Sequence, residues 1–153
     1  MRRKEYGKKI QPRDASRIRV GIVVSRFNAD ITRSLLDGAL DALLKWNVRK
    51  SKITVAHVAG SFEIPYGCLS LIKKMKPDCI IALGCIIKGE TKHDEYLASA
   101  VSHGLMSLSL DFRTPISFGV ITVDNLKQAR ARSSGRTNKG REAAIAAMES
   151  ALF

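Results

Sequence analysis

Apolar and polar positions along this chain switch between two periods, and the switches mark its elements. Residues 18–25 (IRVGIVVS) form a β-branched run that reads as a buried strand. Behind it, Ile31, Leu35, Leu36, Ala39, Leu40, Leu43 and Leu44 recur at helical spacing and draw one apolar stripe. Residues 52–58 (KITVAHV) predict a second strand. Pro65 opens the next helix, where its missing N–H costs nothing, and that helix runs to about residue 75. Residues 78–87 (DCIIALGCII) predict a third strand, apolar on both faces as a central strand of a parallel sheet is. A long helix from residue 92 to about residue 110 carries Leu97, Val101, Leu105 and Leu108 along one side. A fourth strand follows over residues 116–123 (ISFGVITV). A short helix over residues 125–132, a polar loop and an Ala-rich helix over residues 140–152 complete the chain.

Strands alternating with helices through short links imply a parallel sheet covered on both faces by right-handed crossovers. The expected fold is α/β: a three-layer α/β/α sandwich, flavodoxin-like, with a four-stranded parallel sheet and helices on both faces. Residues 1–14 read as a basic tail and residues 15–153 as one domain. There is no internal repeat and no low-complexity segment.

Composition narrows the function classes. The 153 residues are 45 % hydrophobic, enough for a full core, and no apolar stretch is long enough to span a membrane. The charged N-terminus has no apolar core behind it, which argues against a secretory signal and for the cytoplasm. Cys68, Cys79 and Cys85 are odd in number and lack metal-ligand spacing, which argues against a disulfide or metal set, and Cys68 and Cys79, in apolar contexts, read as small buried hydrophobes. The net charge of +12 raises nucleic acid as a partner. Much of the excess, however, lies in the tail and between Lys127 and Arg141, and no aromatic residue interleaves with those runs, so a base-stacking platform is absent and no nucleic acid is expected.

In an open α/β sheet the chemistry belongs at the carboxyl ends of the strands, beside helix N-termini. Four peptides fall there: SRFNAD, AGSFEIP, KGETKHDE and TVDN. Phe27 is either a core plug or a platform for a flat ring, and Asn28 is a candidate helix N-cap. Glu63, just before a Pro-started helix, suits the helix dipole and could equally accept hydrogen bonds from a polyol. Thr91 with Asp94 fits a capping box, which is compatible with a phosphate site at the same terminus. His93 falls in the first helical turn, as a structural, solvated or proton-transferring residue. The basic segment 130–140 is either a solvated loop or a phosphate clamp. None of these motifs is specific alone. A ligand-binding module without turnover, or a basic nucleic-acid-binding protein, would carry the same loops.

Taken jointly, GSFEIP, LGCIIKGETKHDEY and NKGREAA, preceded by a strand ending in SRFN, resemble the lumazine synthase family in order and spacing from about residue 18 to residue 152. That resemblance implies condensation of 5-amino-6-(D-ribitylamino)uracil with 3,4-dihydroxy-2-butanone 4-phosphate, giving 6,7-dimethyl-8-ribityllumazine and phosphate for riboflavin biosynthesis. It implies no cofactor and no metal. Carried over by position, Phe27 stacks on the pyrimidine with Asn28 beside it. Backbone around Ser61, Phe62 and Ile87 bonds the ring edges, and Glu63 holds the ribityl hydroxyls. Gly89, Glu90 and Thr91 receive the phosphate, and His93 moves protons. Phe118, Arg132 and Lys139 resemble residues contributed by a neighbouring subunit. The implied partners are therefore the two small-molecule substrates and further copies of the chain, in a homopentamer with sites between subunits, which in some members stacks into an icosahedral assembly. Three positions depart from the family pattern. The loop after Arg132 is one residue shorter, which leaves Arg130 and Arg136 as further candidates for the phosphate. Ala131 stands where an acid is common, and Asp94 stands where an aromatic is usual.

Overall fold

The structure, a computed structural model, describes residues 10–153; most of the basic tail expected over residues 1–14 lies outside the described residues. Four strands form one sheet: β1 (Val20–Ser25), β2 (Ile53–Val58), β3 (Cys79–Ile87) and β4 (Ile116–Val123). Their order is β2-β1-β3-β4 and every pairing is parallel. Five α-helices join and follow them: α1 (Ala29–Lys45), α2 (Ile64–Met75), α3 (His93–Asp111), α4 (Leu126–Ser133) and α5 (Lys139–Ala151). The expected three-layer flavodoxin-like sandwich is present.

Burial follows from the side-chain alternation of the central strands. On β1, Val20, Ile22 and Val24 point to one face, where they meet Ile31, Leu35, Ala39 and Leu43 of α1 and Ala144, Ala147 and Met148 of α5. Val23 points the other way, towards Ile64, Cys68 and Leu71 of α2 and Val101 and Leu105 of α3. Both faces of β1 and β3 are therefore covered. Burial pushes the thiols of Cys68 and Cys79 up to about 12, Cys79 with a smaller contribution from the neighbouring Asp78 carboxylate. They remain apolar filler at neutral pH. By contrast β2 is an edge strand, with Thr54, Val55 and His57 exposed.

Before β1 the chain is already packed: Ala15 is buried, donates its N–H to Trp46 O, and the Arg13 guanidinium lies over the Trp46 ring. The register places Ser25 and Val58 side by side and Ile87 beside Val123, so the four carboxyl ends form one edge of the sheet. β3 runs four residues past its last pairing with β1. That overhang opens a crevice bounded by the loops after β1, β2 and β3.

Candidate active site

The loop after β1 turns within three residues. Arg26 and Phe27 donate their N–H groups to Val58 O and Ala59 O, which ties the turn to the end of β2. Asn28 then adopts a left-handed backbone (φ 58°, ψ 48°), a conformation asparagine tolerates better than most residues. The expected side-chain cap is not made. Asn28 occupies the N-cap position of α1, but its Nδ2 reaches across to donate to Cys85 O at 2.9 Å. Its side chain thus joins the β1 loop to β3, because a residue with positive φ cannot aim its side chain back at the first helical turn. Phe27 is 71 % exposed, so it plugs no core. The platform reading remains.

After β2, residues Ser61–Glu63 form a single 3₁₀ turn that feeds α2. Glu63 does more than suit a dipole: its Oε2 accepts the Gly60 N–H at 2.9 Å while its own N–H donates to Gly60 O at 3.3 Å. The turn sits close on β3 because Gly84 has no side chain; a Cβ there would lie 2.8 Å from Ser61 Oγ and 2.9 Å from Ile64 Cδ1. Ser61 is buried and Phe62 is 66 % exposed, so the turn presents one polar group inward and one ring outward.

The loop after β3 departs from expectation at its cap. α3 begins at His93 with Lys92, not Thr91, in the N-cap position, and no side chain caps it. Thr91 Oγ1 accepts only a long bond from the His93 N–H, at 3.4 Å. Asp94 does not complete a capping box. Among the described residues the N–H groups of Gly89, Glu90, Thr91 and Asp94 find no partner, which leaves this helix start rich in free donors.

One cavity of about 910 Å³ connects these loops. Phe27, Asn28, Ser61, Phe62 and Glu63 line it from one side, and Ile87, Gly89, Thr91 and His93 from the other. Glu90 belongs to the same loop but does not line the cavity. Phe118 on β4, Arg132 on α4 and Lys139 at the start of α5 do not line it either. Phe118 is half exposed, and Arg132 has no partner among the described residues. Lys139 is paired with Glu142, so its charge is partly committed within its own helix. The cavity also holds residues that sequence reasoning did not place in the site: Gly60, Cys85 and Tyr96 among them, and Asp94, which it read as part of a cap. For Cys85 a signal existed, since it lies on the strand whose overhang makes the crevice. Burial pushes its thiol up to about 11, so at neutral pH it is no nucleophile. No group of three or more His, Cys, Asp or Glu among the described residues could hold a metal ion, and no helix there is long and apolar enough to cross a membrane.

The arrangement suits a flat ring held against exposed aromatics, with an anion at a helix start and an imidazole lining the same cavity. The profile of the 6,7-dimethyl-8-ribityllumazine synthase family matches residues 17–153. The chain is 46 % identical over 135 residues to a 6,7-dimethyl-8-ribityllumazine synthase of Kosmotoga olearia, covering 88 % of this chain and 86 % of that one. It is also 46 % identical over 138 residues to the enzyme of that name from Aquifex aeolicus, covering 90 % of each. The Parabacteroides distasonis enzyme of the same name is 40 % identical over 141 residues, covering 92 % of this chain and 88 % of its own.

Proposed function

The chain belongs to the 6,7-dimethyl-8-ribityllumazine synthase family, and from that premise we propose that the cavity at the carboxyl edge of its sheet is where the condensation takes place. The protein is a condensing enzyme of riboflavin biosynthesis. It joins 5-amino-6-(D-ribitylamino)uracil to 3,4-dihydroxy-2-butanone 4-phosphate with release of phosphate. The observation that carries the site assignment is the convergence of three loops on one cavity, with Phe27 and Phe62 exposed at its wall and His93 beside the free N–H groups of residues 89–91.

In this reading the pyrimidine stacks on Phe27, and backbone groups near Ser61, Phe62 and Ile87 bond its edges. Asn28 stands next to Phe27 and keeps Oδ1 available, since its Nδ2 is engaged with Cys85 O. Glu63 holds Gly60 with Oε2 and keeps Oε1 for the ribityl hydroxyls. The phosphate sits at the start of α3 against the N–H groups of Gly89, Glu90 and Thr91, where the helix dipole favours an anion. His93 takes and returns protons as the amine adds to the carbonyl, water and phosphate leave, and the second ring closes. Phe118, Arg132 and Lys139 complete the pocket from the next copy of the chain, with Arg132 on the phosphate.

The nucleophile is the amine of the substrate, so no Ser, Cys or Lys is required and the protonated Cys85 fits that demand. Holding two reactants together then supplies most of the rate, about 7–11 kcal/mol in favourable intramolecular cases, and one proton-transferring group adds roughly 10²–10⁴-fold. Mixing the purified protein with both substrates and following lumazine absorbance and fluorescence tests the assignment directly. His93→Ala should leave a slow, measurable enzyme, reduced roughly 10²–10⁴-fold in kcat. A folded His93→Ala protein with wild-type kcat would remove the imidazole from the mechanism.

A further inference from the structure

Asp94 stands on the inward stripe of α3, three residues before Leu97 and seven before the buried Val101. It is half-buried and lines the cavity together with its neighbours His93, Tyr96 and Leu97. A carboxylate at the first turn has an ordinary explanation, a capping box with Thr91, and the structure removes it, since no side chain caps α3. The helix dipole also favours an acid here, but Glu95 meets that demand from the exposed side and needs no place in a cavity. Among the described residues the Asp94 carboxylate accepts no hydrogen bond and forms no ion pair. Glu63, the other carboxylate lining the cavity, has one oxygen committed to Gly60. With no donor from the protein, both carboxylate oxygens are left to meet a ligand that brings a donor or a positive charge into the cavity. Its negative charge favours a positive or donor-bearing atom, which the nitrogen-bearing reactant supplies and the phosphate does not.

Resting on the reading of this cavity as the condensation site, we propose that Asp94 is a catalytic carboxylate whose negative charge stands against the reacting nitrogen. When the amine lone pair forms the new C–N bond, the carbonyl π pair moves to oxygen and the nitrogen becomes positive. A proton then passes from nitrogen to that oxygen, and a second proton, given by protonated His93, lets it leave as water while the nitrogen lone pair forms the C=N bond; the imine nitrogen is again positive until it returns a proton to His93. No electrons are gained or lost in the sequence. Asp94 stabilises both cations, and His93 carries the protons between nitrogen and oxygen. A preorganised charge at a developing charge is the kind of interaction that lowers a barrier most.

Steady-state kinetics with both substrates on the wild type, Asp94→Asn and Asp94→Glu, with thermal unfolding of each, tests the assignment. Asp94→Asn should lose roughly 10–100-fold in kcat with the KM for the four-carbon phosphate unchanged, and Asp94→Glu should recover most of that loss. Were Asp94 only a helix-end charge, Asp94→Asn would melt earlier and keep wild-type kcat, which overturns the proposal. An Asp94→Glu protein as slow as Asp94→Asn at wild-type melting temperature overturns it too. A wild type that makes no lumazine fails the function of the cavity itself, whereas an active wild type with an unimpaired Asp94→Asn fails Asp94 alone.

Discussion

Two asparagines near the site divide the work that sequence alone would give to either. Asn28 carries the strained backbone and spends its amide on Cys85 O. Asn138 does the capping: its Oδ1 accepts the N–H groups of Gly140 and Arg141 at 2.8 and 3.2 Å, and its Nδ2 donates to Ser34 O and Ser133 O at 2.8 and 2.6 Å. The residue is 5 % exposed, so water cannot replace those partners. Asn138→Ala removes a helix cap and leaves buried carbonyls unpaired, at a cost on the order of 3 kcal/mol. Chemical denaturation at fixed protein concentration should show the midpoint fall accordingly, and an unmoved midpoint would mean the network is replaceable. The same substitution frees the loop between Arg132 and Lys139, so the KM for the phosphate substrate should rise even where the protein stays folded.

At the scale of elements, the contact of α1 with α5 is unusually close, and glycine makes it so. A Cβ on Gly140 would lie 1.8 Å from the carbonyl oxygen of Leu35, and one on Gly38 would lie 2.4 Å from the Asn138 amide. Neither backbone can yield without separating the helices, although an ion pair from Arg141 to Asp41 at 3.0 Å also holds them. Gly140→Ala should therefore destabilise by at least the 1–3 kcal/mol typical of overpacking, roughly, despite alanine's better helix propensity. A Gly140→Ala protein that unfolds at the wild-type midpoint would show that α5 is free to shift. The elements themselves were legible in the sequence, since apolar period separates β3 from α3 and Pro65 marks α2. Their close contacts were not, because nothing local to Gly140 names Leu35, or local to Gly84 names Ser61. The cap of α3 failed for a related reason. Thr91 and Asp94 have the right spacing, but the loop delivers Lys92 to the N-cap position, an offset of one residue that no local pattern reports.

For the whole molecule, the candidate site residues split into two groups that one chain does not bring together. Nine of them surround the cavity, whereas Phe118, Arg132 and Lys139 lie on β4, α4 and α5 outside it. Residue reading could place the loops of most of the first group, because they share a sheet edge, whereas Ile87 came from the family resemblance. In the second, the basic segment 130–140 read as either a solvated loop or a phosphate clamp, whereas Phe118 and a place in a neighbouring copy's site came only from the family resemblance, since no periodicity reports on a contact between copies. Apolar side chains exposed along α3, Met106 and Leu110 among them, and the open edge of β2 are surfaces that a ring of copies would cover. In such a head-to-tail ring every site pairs the His93 side of one chain with the Arg132 side of the next. Size-exclusion mass should therefore correspond to a pentamer or a multiple of it. The sharper test mixes two impaired proteins, His93→Ala and Arg132→Ala, by co-refolding in equal amounts. If sites are shared, about one interface in four joins two unaltered halves and activity returns to about that fraction of wild type. If each chain held a complete site, every site in the mixture would still carry one lesion, and activity would remain at the average of the two variants.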